Sequence, residues 1–342
     1  MLPLTNDLTR AASDLGFLRW HEVQERVSVA DIYRPPDRCG IYVLSFSNGE
    51  AYAGQAVDVT RRYAQHRKFH VDIETITFKP VRRQNLNEEE TIVIHKLESA
   101  GIALRNVVFT SFTLGPSDFD LIMRGEDQER WRADINYIDL GGPRTNDAET
   151  RRRFGRKYQE LLERPHAEEA VRVLRTYAPD GLPALPSSEM SFWACTCLPG
   201  YPNYPIETYA RINVYQQEVF AVFIDGGQLC FSWHLAKSPL ESAFGPSLSQ
   251  LSRKFPAVEV LDHVYVPGGP DQIQLWAQGV DAAVRLLRDP AVLRSIRLFN
   301  WRLMKKGPCM FSRYHCFALA DRFYDQTTDS LLVRARSLFG RH

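Results

Sequence analysis

The sequence predicts an α+β protein with a small N-terminal domain and a larger C-terminal domain, and three observations support this class. Two short apolar runs, residues 41–46 and 51–54, flank Asn48-Gly49, a dipeptide that tolerates positive φ and closes tight hairpins. A third run rich in β-branched residues, 71–81, lies between two helical patterns. Further along, strand-like segments are followed by helical ones, which is typical of an α+β domain.

Composition describes a globular chain without a strong bias. The 342 residues are enough for two domains, and 44% hydrophobic with 24% charged residues is typical of soluble proteins. A net charge of +1 gives no overall attraction to nucleic acid, so any such attraction must come from local basic patches. The chain has no apolar run near the roughly 20 residues that span a bilayer, no signal-peptide pattern and only six cysteines. We therefore expect a cytoplasmic protein with no membrane partner.

The first 36 residues are predicted to be a packing extension. Residues 2–25 show apolar residues at helical spacing, although Gly16 argues against a single unbroken helix. Pro35-Pro36 then ends any regular structure. The hairpin follows, with Gly40-Ile41-Tyr42 on its first strand and Tyr52-Ala53-Gly54 on its second. Two tyrosines are thereby predicted on adjacent antiparallel strands.

A basic amphipathic helix is predicted at residues 58–70, with Asp58 as its N-cap. Arg62 and His66 are four residues apart and share one face of this helix. Taken alone, such a pair is most often a solvated basic face. The preceding hairpin with its two tyrosines favours a site instead.

The third strand, 71–81, is followed by the basic residues Lys79, Arg82 and Arg83, which are either an exposed turn or contacts to phosphate. A second helix is predicted at 87–100, with Asn87 as its cap and three glutamates in its first turn. Acids at a helix start interact favourably with the helix dipole, and this alone accounts for two of the three glutamates.

The ordered set Tyr42, Tyr52, Arg62, His66, Glu90 and Asn106 resembles the motifs of the GIY-YIG nuclease family. The resemblance covers residues 38–112, and its main departure is Ala53, where the family usually has Val or Ile. It implies a domain with a three-stranded antiparallel sheet flanked by helices. It also implies that Glu90 binds the metal ion, with Glu89 as the alternative, and that Asn106 orders the strand–helix junction.

The chemistry of these residues suits hydrolysis of a phosphodiester. A guanidinium such as Arg62 neutralises charge on phosphoryl oxygens, and one carboxylate with water ligands suits Mg²⁺, or Mn²⁺ in its place. Tyr42 or Tyr52 orients or activates the attacking water, and His66 relays the proton. We leave open which tyrosine does so. The expected partner is DNA, and the side chains expected to contact it are Gln55, Arg61, Lys68, Lys79, Arg82, Arg83, Arg151, Arg152, Arg153 and Lys157.

Beyond the resemblance, residues 109–114 are predicted to be a strand, 118–137 a helix and 147–177 a charged helical region. The segment 151–157 is the densest basic cluster and is either a grip on the DNA backbone or a solvated helix face. A Pro- and Gly-rich stretch at 178–186 is predicted to be a linker. Residues 118–182 would then form a helical connector between a nuclease domain at 37–117 and a C-terminal domain at 183–342.

The C-terminal region shows four strand-like runs between 190 and 236, then helical patterns at 240–254, 271–287 and 290–302. Its cysteines and histidines match no zinc-site spacing and are read as core residues. Residues 330–342 form a short basic tail. We expect this domain to select the substrate, to bind a protein partner or to form a homo-oligomer. The alternatives to a site-specific or defence endonuclease are a structure-specific repair nuclease and a catalytically silent DNA-binding module.

Overall fold

The computed structural model describes residues 6–106, 117–200 and 206–324, apart from the side chain of Phe69. The chain divides into two compact units, Met1–Gly115 (unit 1) and Pro116–His342 (unit 2). The strand predicted at 109–114 and the basic tail predicted at 330–342 lie outside the described residues. Within the described residues, no helix combines the length and the apolar character needed to cross a membrane.

Unit 1, in its described part, contains an antiparallel sheet of four strands in the order β1-β4-β2-β3. Its elements are α1 (Asn6–Asp14), β1 (Trp20–Glu22), β2 (Gly40–Phe46), β3 (Ala51–Ala56), α2 (Val59–Phe69), β4 (Ile73–Pro80) and α3 (Leu86–Ser99). The predicted α+β class is confirmed. The sheet has one strand more than the three predicted, because the chain turns at Gly16 (φ +86°) and β1 then pairs with β4.

The hairpin has the geometry that its turn residues predict. Gly49 takes φ +83°, and the Asn48 side chain accepts a hydrogen bond from the N–H of Glu50 at 3.1 Å. In the resulting register Tyr42 lies opposite Gly54, and Tyr52 lies opposite Leu44. Both tyrosines therefore belong to the same face of the sheet.

Each face of this sheet has its own apolar core. Alternate residues of β2 and β3, such as Ile41 and Ala53, pack with α1 and α3 on one side. The intervening residues of β2, Tyr42 and Leu44, pack on the other side with Tyr63 of α2. Helix α2 is held there because the Tyr63 hydroxyl donates to two backbone carbonyls, at 3.1 and 2.8 Å. This packing fixes α2 over the tyrosine-bearing face.

Unit 2 contains an antiparallel sheet of six strands in the order β5-β6-β7-β8-β10-β9, with helices around it. The elements of its described part are α4 (Gly125–Ala133), α5 (Ala148–Arg152), α6 (Gly155–Leu162), α7 (Ala167–Gly181), β5 (Trp193–Cys197), β6 (Glu207–Val214), β7 (Gln217–Asp225), β8 (Gln228–Leu235), α8 (Lys237–Phe244), α9 (Ser249–Lys254), β9 (Val258–Leu261), β10 (Ile273–Gln278), α10 (Val280–Leu287), α11 (Pro290–Lys306) and α12 (Phe317–Asp321). The four strands predicted between 190 and 236 correspond to β5–β8.

The stretch predicted as a connector and linker belongs to the core of unit 2. Helix α7 continues to Gly181, and Tyr177 stacks on Phe220 of β7 with ring centroids 4.6 Å apart. The buried guanidinium of Arg297 on α11 donates to the carbonyl oxygens of Asp180 and Asp134, at 2.7 and 2.8 Å. These long-range contacts, which composition cannot reveal, put residues 178–186 inside unit 2, whose start at Pro116 lies close to the predicted boundary between residues 117 and 118.

The helix predicted at 271–287 is wrong in its first half. Residues 273–278 form β10, which pairs with β8 on one side and β9 on the other. Gly279, at φ +86°, separates this strand from α10. The apolar residues of β10, Ile273, Leu275 and Ala277, recur at every second position and are buried. The sequence pattern allowed either a helix or a strand here, and pairing with β8 and β9 made the segment a strand.

Candidate active site

The candidate site is built on β3, which lies at the edge of the unit 1 sheet. An edge strand has outward backbone groups that need partners other than a neighbouring strand. The N–H and C=O of Ala51 pair with the backbone of residues 103 and 105, each at 2.8 Å. Two polar side chains predicted as site residues, Asn106 and Glu90, complete this pairing further along the strand.

Asn106 pairs with Ala53 as a strand residue would. Its Oδ1 accepts from the N–H of Ala53 at 2.9 Å, and its Nδ2 donates to the C=O of Ala53 at 2.6 Å. The side chain is buried, so both hydrogen bonds are shielded from water. Asn106 therefore holds the second tyrosine-bearing strand in place, which agrees with the ordering role that the resemblance implies.

Glu90 reaches the next outward position from α3. Its Oε1 accepts from the N–H of Gln55 at 3.0 Å, and its Oε2 accepts from the Gln55 side-chain amide at 2.9 Å. Burial raises the pKa of Glu90, and the hydrogen bonds from Gln55 and the charge of Arg62 offset this only in part. The carboxylate is thus buried, fixed in orientation, and hydrogen-bonded mainly to neutral groups.

Tyr42 and Tyr52 lie against each other with ring centroids 6.1 Å apart. Gly54 allows this approach, because a Cβ at that position would lie 2.5 Å from the Tyr42 hydroxyl and 2.8 Å from the Tyr52 ring. Tyr42 is fully buried, whereas Tyr52 is half-buried. Burial and the neighbouring Tyr52 raise the pKa of Tyr42, so its phenol keeps its proton at neutral pH.

His66 is brought to the tyrosines by α2. Its Nε2 lies 2.7 Å from the Tyr42 hydroxyl, and its ring centroid lies 4.6 Å from that of Tyr52. Burial, followed by the charges of Arg62 and His70, lowers the pKa of His66 to about 4. The imidazole is therefore neutral at physiological pH and keeps one ring nitrogen able to accept a proton.

Arg62 lies one helical turn before His66 on the same face of α2, and its side chain is largely exposed. Its Nη1 donates to Oε1 of Gln65 at 3.1 Å. The interaction with the Tyr42 phenol is the largest cause of its raised pKa, and Tyr52 contributes further. Asp58, the predicted N-cap, accepts from the N–H groups of Thr60 and Arg61, at 2.9 and 3.3 Å. The structure thus brings together the predicted Tyr42, Tyr52, Arg62, His66 and Glu90.

The structure also separates the two glutamates that the sequence left as alternatives. Glu89 forms an ion pair with Lys79 at 2.8 Å, while Glu90 faces Gln55. The charge of Lys79, one of the predicted phosphate contacts, is therefore already paired with a carboxylate. Gln55, another predicted DNA contact, is engaged with Glu90 and with Asn87.

The remaining predicted DNA contacts fall into two groups. In unit 1 the side chains of Arg61, Lys68, Arg82 and Arg83 are exposed. In unit 2 some side chains of the basic cluster 151–157 already have partners within the protein. Arg151 pairs with Asp321 at 2.7 Å and Lys157 donates to the carbonyl of Leu198 at 3.0 Å, whereas Arg152 and Arg153 are exposed.

The sequence analysis did not identify Arg105, which joins the hairpin to β4. Its guanidinium pairs with Glu50 at 2.5 Å and Asp72 at 2.6 Å, and lies 3.6 Å from the centre of the Phe46 ring. His70, which stacks near His66 with centroids 6.0 Å apart, also contacts Arg105. Its two acidic partners, Glu50 and Asp72, lie 55 and 33 residues away in the sequence, and no local pattern joins them to Arg105.

The donor set of the site fits a hard divalent cation. Each Glu90 oxygen accepts one hydrogen bond from Gln55 and retains a second lone pair. Among the described residues there is no group of three or more His, Cys, Asp or Glu side chains that could hold a metal. A site with one carboxylate and several waters does not need such a group, and Mg²⁺ commonly keeps several of its waters.

Comparison of the chain with protein-family models, with curated proteins and with solved structures gives no match. The assignment of an activity therefore depends on the residues and their geometry.

Proposed function

We propose that unit 1 is a metal-dependent, GIY-YIG-like endonuclease that hydrolyses phosphodiester bonds in DNA. The observation that carries this proposal is the 2.7 Å contact between the Tyr42 hydroxyl and Nε2 of a neutral His66. A phenol with a raised pKa is a poor base alone, but a neutral imidazole beside it can accept its proton. The charge of Arg62 acts on the same phenol, so a phosphate bound by Arg62 would be near this pair.

The proposed step transfers two protons. An attacking water gives a proton to the Tyr42 oxygen while the Tyr42 hydroxyl gives its own proton to Nε2 of His66. The water oxygen bonds to phosphorus as the bond from phosphorus to the leaving deoxyribose oxygen breaks, and that oxygen takes a proton from solvent. Tyr42 is thereby regenerated as a phenol, and His66 becomes an imidazolium that loses its proton to solvent.

Arg62 has two roles in this proposal. In the free protein its Nη1 donates to Oε1 of Gln65 at 3.1 Å, and its charge acts on the buried Tyr42 phenol. A DNA phosphate then replaces Gln65 as the partner of this exposed guanidinium. The guanidinium then neutralises the charge that gathers on the phosphoryl oxygens in the transition state.

Glu90 would hold the divalent ion, which when bound supplies Lewis-acid polarisation of the phosphate. Gln55 holds both carboxylate oxygens in fixed positions, so Glu90 is oriented before the ion arrives. Tyr52, half-buried and packed on His66, orients the phosphate or the water.

Incubation of the purified chain with supercoiled plasmid and Mg²⁺ tests the proposal, with nicked and linear products as the readout. Tyr42→Phe should lower the cleavage rate about 100-fold or more, because it removes the proton-transferring hydroxyl. Tyr63→Phe is the matched control, since it also deletes a buried tyrosine hydroxyl that is hydrogen-bonded. It should reduce stability and leave the cleavage rate of the folded protein unchanged.

Other results would redirect the proposal. Full activity in Tyr42→Phe with loss in Tyr52→Phe would move the proton transfer to Tyr52. Cleavage of branched DNA without cleavage of plasmid would indicate a structure-specific repair nuclease. DNA binding without cleavage of either substrate would indicate a silent DNA-binding module, and cleavage that resists EDTA would exclude the metal-dependent reaction.

A further inference from the structure

Unit 2 contains a pocket of about 310 Å³ that takes no part in the proposed nuclease chemistry. Its volume is at the lower end of the range of about 300–1,000 Å³ for small-molecule sites, which suits a ligand the size of one nucleotide. The side chains that give the pocket its chemical character are Lys157, Thr196, Arg211, Phe154, Phe311 and Tyr314. They come from α6, β5, β6 and the segment that precedes α12.

The charge of the pocket favours an anion. Lys157 has no carboxylate partner in the described part of the chain, and it lies in the first turn of α6. The N-cap of α6 is Phe154, which supplies no side-chain acceptor to this helix start. A helix N-terminus and an ammonium group together attract phosphate. Arg211 adds a second cation, although it also pairs with Glu218 at 3.1 Å.

The remaining walls are aromatic. Rings of Phe154, Phe311 and Tyr314 line the same pocket that contains the cationic groups. Aromatic rings bind the flat faces of nucleobases by stacking, at about 1–3 kcal/mol per base. An anion site and aromatic walls in one small pocket match a phosphate joined to a nucleoside.

We propose that this pocket binds a nucleoside monophosphate, with its phosphate at Lys157 and the start of α6 and its base against the aromatic rings. The nucleotide is either free or the 5′-terminal nucleotide of a DNA strand. Binding at this site does not require cleavage by unit 1, so it stands or falls separately from the proposed function.

Titration calorimetry of the full-length chain with the four deoxynucleoside 5′-monophosphates tests the proposal. The corresponding nucleosides, which lack the phosphate, should bind at least tenfold more weakly. Lys157→Gln should weaken binding of the monophosphates about tenfold, because it removes one charge-assisted contact. Arg156→Gln is the matched control, since its neighbouring side chain is 93% exposed and does not line the pocket.

Two further comparisons complete the test. Displacement of the monophosphate by a 5′-phosphorylated oligonucleotide, but not by its 5′-hydroxyl form, would identify a DNA terminus as the source. Failure of both to displace it would identify a free nucleotide. Absence of saturable binding by all four monophosphates, or equal binding of the nucleosides, would overturn the proposal. Arg62→Ala should bind the monophosphates as the wild type does, whatever its cleavage activity.

Discussion

Glu90 in unit 1 and Glu189 in unit 2 are both buried carboxylates, yet their surroundings differ. Glu189 receives two hydrogen bonds from Arg144, at 2.6 and 2.8 Å, and lies 3.1 Å from Nε2 of His315. Burial would raise the pKa of Glu189, but these partners outweigh it and the pKa is lowered. For Glu90 the balance is reversed, since neutral groups of Gln55 are its hydrogen-bond donors and burial keeps its pKa raised.

This contrast separates a structural carboxylate from one suited to a ligand. A buried charge that already has a bidentate cation partner has little to gain from another cation. A buried carboxylate that is oriented but not neutralised is improved by a cation, and its partners are already in place for one. The comparison therefore supports the proposal that Glu90, and not Glu189, holds the divalent ion.

Substitution of the two glutamates by glutamine should have opposite effects. Glu90→Gln should lower Mg²⁺-dependent cleavage about 100-fold, because the loss of Lewis-acid assistance is worth several kcal/mol. Its free energy of unfolding should change little, since burial already disfavours the charge. Glu189→Gln should reduce the free energy of unfolding by about 3 kcal/mol, because Arg144 then keeps only the more exposed Asp321 as a charged partner. Denaturant unfolding and plasmid cleavage measured on both variants check this, and equal destabilisation by both substitutions would contradict the contrast.

Replacement of the two arginines by lysine extends the comparison. Arg62→Lys keeps the charge but loses the planar fork, so cleavage should fall about tenfold or more with stability unchanged. Arg144→Lys should leave cleavage unchanged and destabilise the protein by about 1 kcal/mol, through loss of one of its two hydrogen bonds to Glu189. Arg61→Ala is the control for bulk charge beside Arg62. A loss of cleavage in Arg61→Ala equal to that in Arg62→Lys would mean that net charge, not geometry, explains the basic face of α2.

Gln55 tests whether the orientation of Glu90 matters. Gln55→Ala removes the side-chain hydrogen bond to Oε2 of Glu90 and leaves the backbone hydrogen bond to Oε1. We expect the Mg²⁺ concentration for half-maximal cleavage to rise about tenfold, with a smaller change in the rate at saturating Mg²⁺. An unchanged Mg²⁺ requirement would show that the Gln55 side chain contributes only to hydrogen bonding at the edge of β3.

His66 and Glu189 should lose their contributions to stability in different pH windows. The pKa of His66 is lowered from 6.5 to about 4, so its contribution to stability is present above pH 6.5 and is lost as the pH falls towards 4. The titratable and charged groups that face it are Tyr42, Tyr52, Arg62 and His70. The pKa of Glu189 is lowered below 4.5, so its contribution is lost only below that pH.

Unfolding of the wild type and of two variants at several pH values checks these windows. His66→Gln should flatten the pH dependence of the free energy of unfolding between pH 6.5 and 4. Glu189→Gln should flatten it below pH 4.5. Identical pH profiles for His66→Gln and the wild type would contradict the burial of a neutral imidazole at the site.

Local chemistry in the sequence was enough to predict several elements of unit 1. Asn48-Gly49 closes the hairpin, and Asp58 caps α2, because both depend on hydrogen bonds made within a few residues. Four-residue spacing likewise placed Arg62 and His66 on one face. The same reasoning gave four strands of unit 2, whose apolar alternation is clear. It failed for β1, which has three residues and is defined only by pairing with β4.

The sequence by itself determined the chemical types present and their order: two tyrosines on a hairpin, a basic helix and a glutamate at a helix start. Only the tertiary structure decided which of these meet. Asn106 reaches Ala53 across 53 positions and Glu90 reaches Gln55 across 35, because the edge of β3 leaves backbone groups that need partners. The tertiary structure also pairs Lys79 with Glu89 and bonds Arg67 to four backbone carbonyls. Cations that look alike in the sequence therefore have different roles. Burial and hydrogen-bond partners, which set the charge state of Glu90 and His66, arise from contacts between segments that are distant in the chain.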